Sequence, residues 1–160
     1  SSEHALAAVH PSCRPLSAQR AVLAGDAWWC PVSPELLLVL AGPSVTPGVR
    51  ERLVELTAGD ELELVDVTGE RVAVCLMGPA ARAVLTRAGA GVVPEGTIRA
   101  ESVAGIPTLV LHQNERRWLL VAPAPDATEL WAALSDAGAP LGLAHVGADA
   151  LRHLGAAGER

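Results

Sequence analysis

With 160 residues, half of them hydrophobic, the chain can bury one good core and is expected to form a single domain. Its net charge of −6 and the lack of any basic run argue against a nucleic-acid partner, and no apolar run is long enough to span a membrane. The first residues carry no signal-peptide pattern, and the three cysteines include no close pair, so we expect a reduced, cytoplasmic protein.

The first half of the chain predicts an irregular arm followed by strands and one helix. Residues 1–19 are expected to form the N-terminal arm, and residues 20–160 the domain itself. Strands are predicted at residues 20–24, 28–32 and 35–41, because turn-forming pairs separate these apolar runs. A helix is predicted over residues 47–58, with Thr46 as its N-cap and Gly59 as its C-terminal stop. Val49, Leu53 and Leu56 recur at helical spacing and should form its buried face.

The second half predicts hairpins and two more helices. Residues 61–67 and 71–77 are expected to pair as strands through a turn at Thr68-Gly69, and a helix follows over residues 79–88. Further strands are predicted at residues 97–103, 107–112 and 117–122. A last helix, over residues 126–137, should place Leu130, Trp131 and Leu134 on one side. This order predicts an α+β fold, with an antiparallel or mixed sheet layered with helices. A strand–loop–helix unit occurs twice, which indicates an internal duplication or simply the repetition that any layered α+β domain shows.

The most informative segment is residues 66–85, in which an acidic turn, an alternating apolar strand, Gly78-Pro79 and an Ala-rich helix follow one another. This order resembles the aminomethyltransferase family, the folate-binding superfamily of the glycine cleavage T protein. Residues 25–40, 124–138 and 141–158 also resemble family segments, with Leu130-Trp131 in the expected places. Within the superfamily, the chain is most similar to the small gamma subunit of heterotetrameric sarcosine oxidase. The resemblance implies the fold of the family's folate-binding domain.

The resemblance also suggests where a ligand would bind. Folate-using members carry a "G-Y-T-G-E-x-G-F-E" segment whose carboxylate contacts the pterin, and residues 112–119 stand in its place. Glu115 falls on the first glutamate and Trp118 on the aromatic, whereas the glycines are gone and Leu119 replaces the second acid. The candidate cofactor-binding residues are therefore Glu115, Trp118 and, at the acidic turn, Asp66. Each has a structural alternative: a solvated turn, a core or interface anchor, and a cap of the local backbone, respectively.

No catalytic residue can be assigned from the sequence. The family's catalytic aspartate has no convincing match, since Asp26 follows Gly25 in what is expected to be only a turn. The histidines and cysteines lack metal-ligand spacing, so no metal is expected. Cys30 is a candidate reactive thiol only if a base lies nearby, and Cys75 could point outward or into a second buried face.

Two functions are favoured over a third, a folate or pterin sensor without a partner, which nothing in the sequence singles out. The chain could be an accessory or folate-binding subunit of a flavin-dependent N-methyl amine oxidase or demethylase in one-carbon metabolism. By resemblance, a flavoprotein partner would hold FAD and tetrahydrofolate would accept the one-carbon unit; self-association is the other partner expectation. Alternatively, the chain is a small stand-alone enzyme, a transferase or cyclase with a repurposed pocket, for example in specialised metabolism. Co-purification with a flavoprotein would favour the first function, and a stable, monodisperse chain the second.

Overall fold

The computed structural model describes residues 20–33, 36–42, 45–58 and 63–147. The predicted arm over residues 1–19, the helix stop at Gly59 and most of the family-like segment 141–158 lie outside the described residues. So does the side chain of Leu56. In the described part, the chain forms two antiparallel sheets and three helices.

The strands and helices follow one another in this order: β1 Val22–Ala24, β2 Ala27–Ser33, β3 Leu36–Ala41, α1 Thr46–Thr57, β4 Arg71–Met77, α2 Ala81–Arg87, β5 Ile98–Val103, β6 Ile106–Asn114, β7 Arg117–Pro123 and α3 Ala127–Gly138. The three-stranded sheet has the order β1-β2-β3, and the four-stranded sheet has the order β4-β7-β6-β5. All strand pairs are antiparallel. The predicted α+β class is therefore confirmed.

Two tight turns with the same backbone conformation connect hairpin strands. Gly25 and Asp26 join β1 to β2 with φ angles of 58° and 61°, and Ala104 and Gly105 join β5 to β6 with φ angles of 52° and 87°. Two successive residues with positive φ form the turn whose twist matches that of paired strands. Asp26 lies where its backbone shapes the first hairpin, in line with its interpretation as a turn residue.

The elements stack in four layers. Helices α2 and α3 cover one face of the four-stranded sheet around a large aliphatic core that includes Val84, Leu130 and Leu120. The other face of that sheet packs against the three-stranded sheet, where Leu111 and Ile98 meet Cys30. Helix α1 covers the outer face of the three-stranded sheet through half-buried side chains packed on Trp29 and Ala24; these are Val49 and Leu53. Both sheets are therefore buried on their two faces, which explains why so many strand residues are apolar.

The predicted strand over residues 61–67 is wrong for its described part, since residues 63–67 form no strand. The turn at Thr68-Gly69 exists, and Glu70 donates its backbone N–H to the carbonyl of Val67 over 3.0 Å. However, the carbonyl of Glu70 accepts from the N–H of Ala124, the residue that follows β7. The carboxylate of Asp66 meanwhile pairs with Arg50 of α1 at 3.4 Å. The segment before β4 therefore has a local turn bond and a surface ion pair to α1, and no strand partner among the described residues.

Two smaller predictions about the helices are also wrong. Thr46 is the first residue of α1 and not its N-cap; the cap position is Val45, and the Thr46 hydroxyl donates to the carbonyl of Gly42 over 2.9 Å. Trp131 does not share the buried side of α3, because it is 44% exposed while Leu130 and Leu134 are buried. A spacing of three to four residues places Leu130 and Leu134 on one helix face and rotates Trp131 away from it.

Candidate functional site

The segment that resembles the pterin-binding stretch forms the end of the β6–β7 hairpin. Glu115 and Arg116 make the two-residue turn, and the Asn114 side-chain oxygen accepts the backbone N–H of Arg116 over 3.0 Å. The register shifts between His112, which lies opposite Trp118, and Asn114, which lies opposite Arg117. Gln113 is therefore the extra residue of a β-bulge. Bulges redirect side chains and are common next to functional sites.

His112 and Trp118 stack against each other across the two strands. Their ring centroids are 3.5 Å apart and their planes differ by only 8°. His112 Nδ1 lies 2.9 Å from the carbonyl oxygen of Val93. Since a carbonyl oxygen can only accept, Nδ1 must carry the proton, and in the neutral ring Nε2 is then a bare acceptor. The imidazole is thus held in one orientation by a hydrogen bond and by the indole.

Four buried polar atoms at this end of the hairpin have no hydrogen-bond partner: His112 Nε2, Gln113 Oε1, Arg117 Nε and Trp118 Nε1. Two of them are donors and two are acceptors. By contrast, the buried indole of Trp29 donates to the carbonyl of Ala24 over 3.2 Å. Unpartnered buried polar atoms are uncommon and mark places where water or a ligand completes the bonding. We name the four residues that carry these atoms, His112, Gln113, Arg117 and Trp118, together with the neighbouring Glu115, the hairpin-end cluster.

Sequence reasoning found only part of the hairpin-end cluster. Glu115 and Trp118 came from the family resemblance, whereas His112, Gln113 and Arg117 were not singled out as site residues. A usable signal was present, because both strands are apolar until they reach polar residues at the turn, in the run Leu-His-Gln-Asn-Glu-Arg-Arg-Trp-Leu. Which of these polar side chains become buried depends on the bulge, and the sequence does not reveal it.

Asp66 lies apart from this cluster. Its carboxylate accepts the backbone N–H of Thr68 over 3.0 Å and pairs with Arg50 of helix α1. The hydrogen bonds from the Thr68 side chain and backbone lower the pKa of Asp66, and the Arg50 charge adds to this effect. These contacts are those of a local turn cap. The ligand roles of Asp66, Glu115 and Trp118 stay predictions: Glu115 is exposed at the turn, and Trp118 is only 3% exposed.

The two described cysteines have different surroundings. Cys30 is fully buried between the sheets, and this burial raises its pKa to about 12. It is therefore a core residue and not a reactive thiol. Cys75 is half-buried; burial raises its pKa, while the nearby Arg117 guanidinium acts in the opposite direction. Arg117 thus connects Cys75 to the hairpin-end cluster.

Ser135 and His145, two residue types with catalytic potential, also lie in close contact. The Ser135 hydroxyl lies 2.8 Å from His145 Nε2, and it also lies 2.7 Å from the carbonyl oxygen of Trp131. The carbonyl must receive the hydroxyl proton, so the imidazole N–H donates to the serine oxygen. A histidine that donates to a serine cannot remove its proton, and this pair does not form an activated nucleophile.

Among the described residues, no group of three or more potential ligands is placed to hold a metal ion. None of the helices in that part of the chain is long and apolar enough to cross a membrane.

Comparisons with known proteins identify the family to which this chain belongs. A comparison with curated proteins found no match. Among solved structures, the heterotetrameric sarcosine oxidase from Corynebacterium sp. U-96, in complex with pyrrole 2-carboxylate, contains a similar chain, with a TM-score of 0.73 and 20% sequence identity. The match covers 91% of this chain and 77% of that chain. The family model described as "GCVT N-terminal domain" matches residues 15–156. The chain therefore belongs to the GCVT N-terminal domain family, which confirms the aminomethyltransferase-like fold that its motifs predicted.

Proposed function

We propose that the chain is an accessory subunit of a flavin-dependent N-methyl amine oxidase or demethylase that works in one-carbon metabolism. The observation that carries this proposal is the fold, which matches a chain of a heterotetrameric sarcosine oxidase over 91% of the sequence. In such an assembly a flavoprotein partner holds FAD and oxidises the amine. The accessory chain would provide surface for contacts with its partner subunits and would help to shape the assembly.

The described residues fit tetrahydrofolate poorly, and this favours a structural role. A pterin site needs a held carboxylate for the ring N–H groups and an open surface for the ring. Glu115 is exposed at a turn, and Leu119, where folate-using relatives carry the second acid, packs into the core between the sheets. Trp118 is buried, with His112 stacked on its ring. The chain therefore offers one surface acid and no free aromatic face at this position.

A second candidate function has one observation in its favour. The four unpartnered atoms of the hairpin-end cluster would be satisfied by a small polar molecule with both donors and acceptors. A stand-alone transferase or cyclase with a repurposed pocket would need such a site. The described residues add no activated nucleophile to it, so the accessory-subunit function has the stronger support.

The two candidates predict different behaviour of the purified chain. An affinity-tagged chain should co-purify from its native host with a flavoprotein whose flavin absorbance is bleached by sarcosine or another N-methyl amine. Isolation of the chain as a monodisperse species without any flavoprotein would contradict the subunit proposal and favour the stand-alone enzyme.

The folate component has its own test. A ligand present at 100 times its dissociation constant stabilises the folded state by about 2.7 kcal/mol, which raises the melting temperature by several degrees for a domain of this size. We expect no such shift with excess 5-formyltetrahydrofolate in reducing buffer. A shift that Glu115→Ala abolishes, and that the control Glu70→Ala at another exposed turn leaves intact, would establish folate binding instead.

A further inference from the structure

We infer that the imidazole of His112 permanently occupies one ring face of Trp118, so that this face is closed to flat ligands by the chain itself. The inference deepens the folate part of the proposed function, because it names the residue that excludes a pterin-like ring. It makes His112 a specificity-determining residue of the hairpin-end cluster.

The geometry of the stack carries this inference. The two ring centroids are 3.5 Å apart and the rings are nearly parallel, so the imidazole lies flat on the indole, in the place that a flat ligand would have to occupy. The indole is only 3% exposed and belongs to the core between the four-stranded sheet and helices α2 and α3. No second ring can lie on this side of Trp118 unless the imidazole moves away.

The ring of His112 is also held by a backbone hydrogen bond, as the ring of a bound ligand would be. Nδ1–H donates to the Val93 carbonyl over 2.9 Å, as a bound heterocycle would donate a ring N–H to the protein backbone. His112 Nε2 and Trp118 Nε1 remain unpartnered on the same stack, so hydrogen bonds at those two atoms do not hold the pair together. The ring is kept in place by stacking and by one backbone hydrogen bond, and both can be supplied by a free imidazole.

Removal of the imidazole should therefore open a ring-sized site that added imidazole refills. His112→Ala is expected to lower the melting temperature by several degrees, because stacking is lost and the Val93 carbonyl loses its donor. Imidazole, the probe, should restore much of this loss in a saturable manner at about pH 8, where it is neutral. 1-Methylimidazole can stack but has no N–H for Val93, and it should restore much less.

The chain provides a matched control variant. His145 also contacts a tryptophan, Trp131, but the rings are tilted by 40° with centroids 4.9 Å apart, and both residues are exposed. His145→Ala opens no enclosed ring site, so imidazole should leave its melting temperature unchanged. With four tryptophans in the chain, an ¹H–¹⁵N spectrum can separate the indole signals. Only that of Trp118 should shift when imidazole binds to the His112→Ala protein.

The outcomes separate the inference from its alternatives. A folded His112→Ala protein that does not respond to imidazole would overturn it. So would a wild-type protein whose Trp118 indole signal shifts with 5-formyltetrahydrofolate, since the face would then be open while His112 is present. If His112→Ala fails to fold, the titration of the wild-type protein with 5-formyltetrahydrofolate decides alone: an unchanged Trp118 indole signal supports the inference, and a shifted one overturns it. None of these measurements involves a flavoprotein. A failure of this inference can therefore be distinguished from a failure of the subunit proposal.

Discussion

The buried thiol of Cys30 should make the stability of this protein fall at alkaline pH. Burial between the sheets raises its pKa from the ordinary value of 9.0 to about 12. The folded state therefore favours the thiol, and the unfolded state releases its proton more readily. The stabilising contribution is complete below pH 9 and is lost as the pH rises toward 12.

The magnitude follows from the two pKa values. One pKa unit corresponds to about 1.4 kcal/mol, so the Cys30 contribution to the free energy of unfolding should decrease by about 1.4 kcal/mol at pH 10 and about 2.7 kcal/mol at pH 11. The composition makes this measurement unusually clean. The chain contains no lysine, because all 12 of its Lys and Arg residues are arginines, and it contains no tyrosine. Its three cysteines are therefore the side chains that titrate in this range.

The assay is urea denaturation in reducing buffer at a series of pH values, for the wild-type protein and for Cys30→Ala. The substitution also removes a buried sulfur, but that loss is independent of pH and only displaces the curve. Cys30→Ala should therefore remove most of the alkaline decrease. Cys75→Ala is the matched control and should remove less, because the Arg117 charge opposes the effect of burial on Cys75. Parallel pH curves for the wild-type protein and Cys30→Ala would refute the reasoning.

Two further predictions test the layers of the core. Leu130 belongs to α3 and is fully buried, so Leu130→Ala should lower the free energy of unfolding by about 2–5 kcal/mol in urea denaturation. Val92→Ala, at a 70% exposed position, should stay within about 0.5 kcal/mol of the wild-type protein. Equal losses would contradict the assignment of the core. In variants that each retain one tryptophan, acrylamide should quench the 44% exposed Trp131 readily, and Trp29 and Trp118, which are 1% and 3% exposed, only weakly.

Much of the fold could be predicted because local sequence and tertiary packing agree. The predicted strands other than that over residues 61–67 are present, and the hairpins turn at Gly25-Asp26 and Ala104-Gly105. Glycine and aspartate are among the residues that most readily adopt the positive φ of such turns. The strand–loop–helix unit occurs as β3 followed by α1 and as β7 followed by α3. The motif around Gly78-Pro79 also pointed to the correct family.

Two predictions are wrong in places where a side-chain hydrogen bond replaces the arrangement that the sequence pattern predicts. Residues 63–67 alternate as a strand would, yet the Asp66 carboxylate binds Thr68 and Arg50, which lie on the turn and on α1. Thr46 has the chemistry of an N-cap, but its hydroxyl is used by the Gly42 carbonyl. The bonds of Asp66 to Thr68 and of Thr46 to Gly42 are local, spanning two and four residues, and such bonds give the backbone an alternative to a strand or to the expected cap. Only the Arg50–Asp66 pair joins distant parts of the chain.

The hairpin-end cluster shows why its key contact could not be predicted. Asn114 pairs with Arg117 next to the turn, and the bulge at Gln113 then brings His112 opposite Trp118. Without that bulge, the same turn would place Gln113 opposite Trp118 and His112 opposite Leu119. The imidazole of His112 would then no longer stack on the indole of Trp118, although the amino-acid sequence near the turn would be the same. One extra backbone residue thus decides which side chain lies against this tryptophan. An apolar pattern specifies the register where a sheet face is buried, whereas the polar run from His112 to Arg117 specifies it only weakly next to the turn.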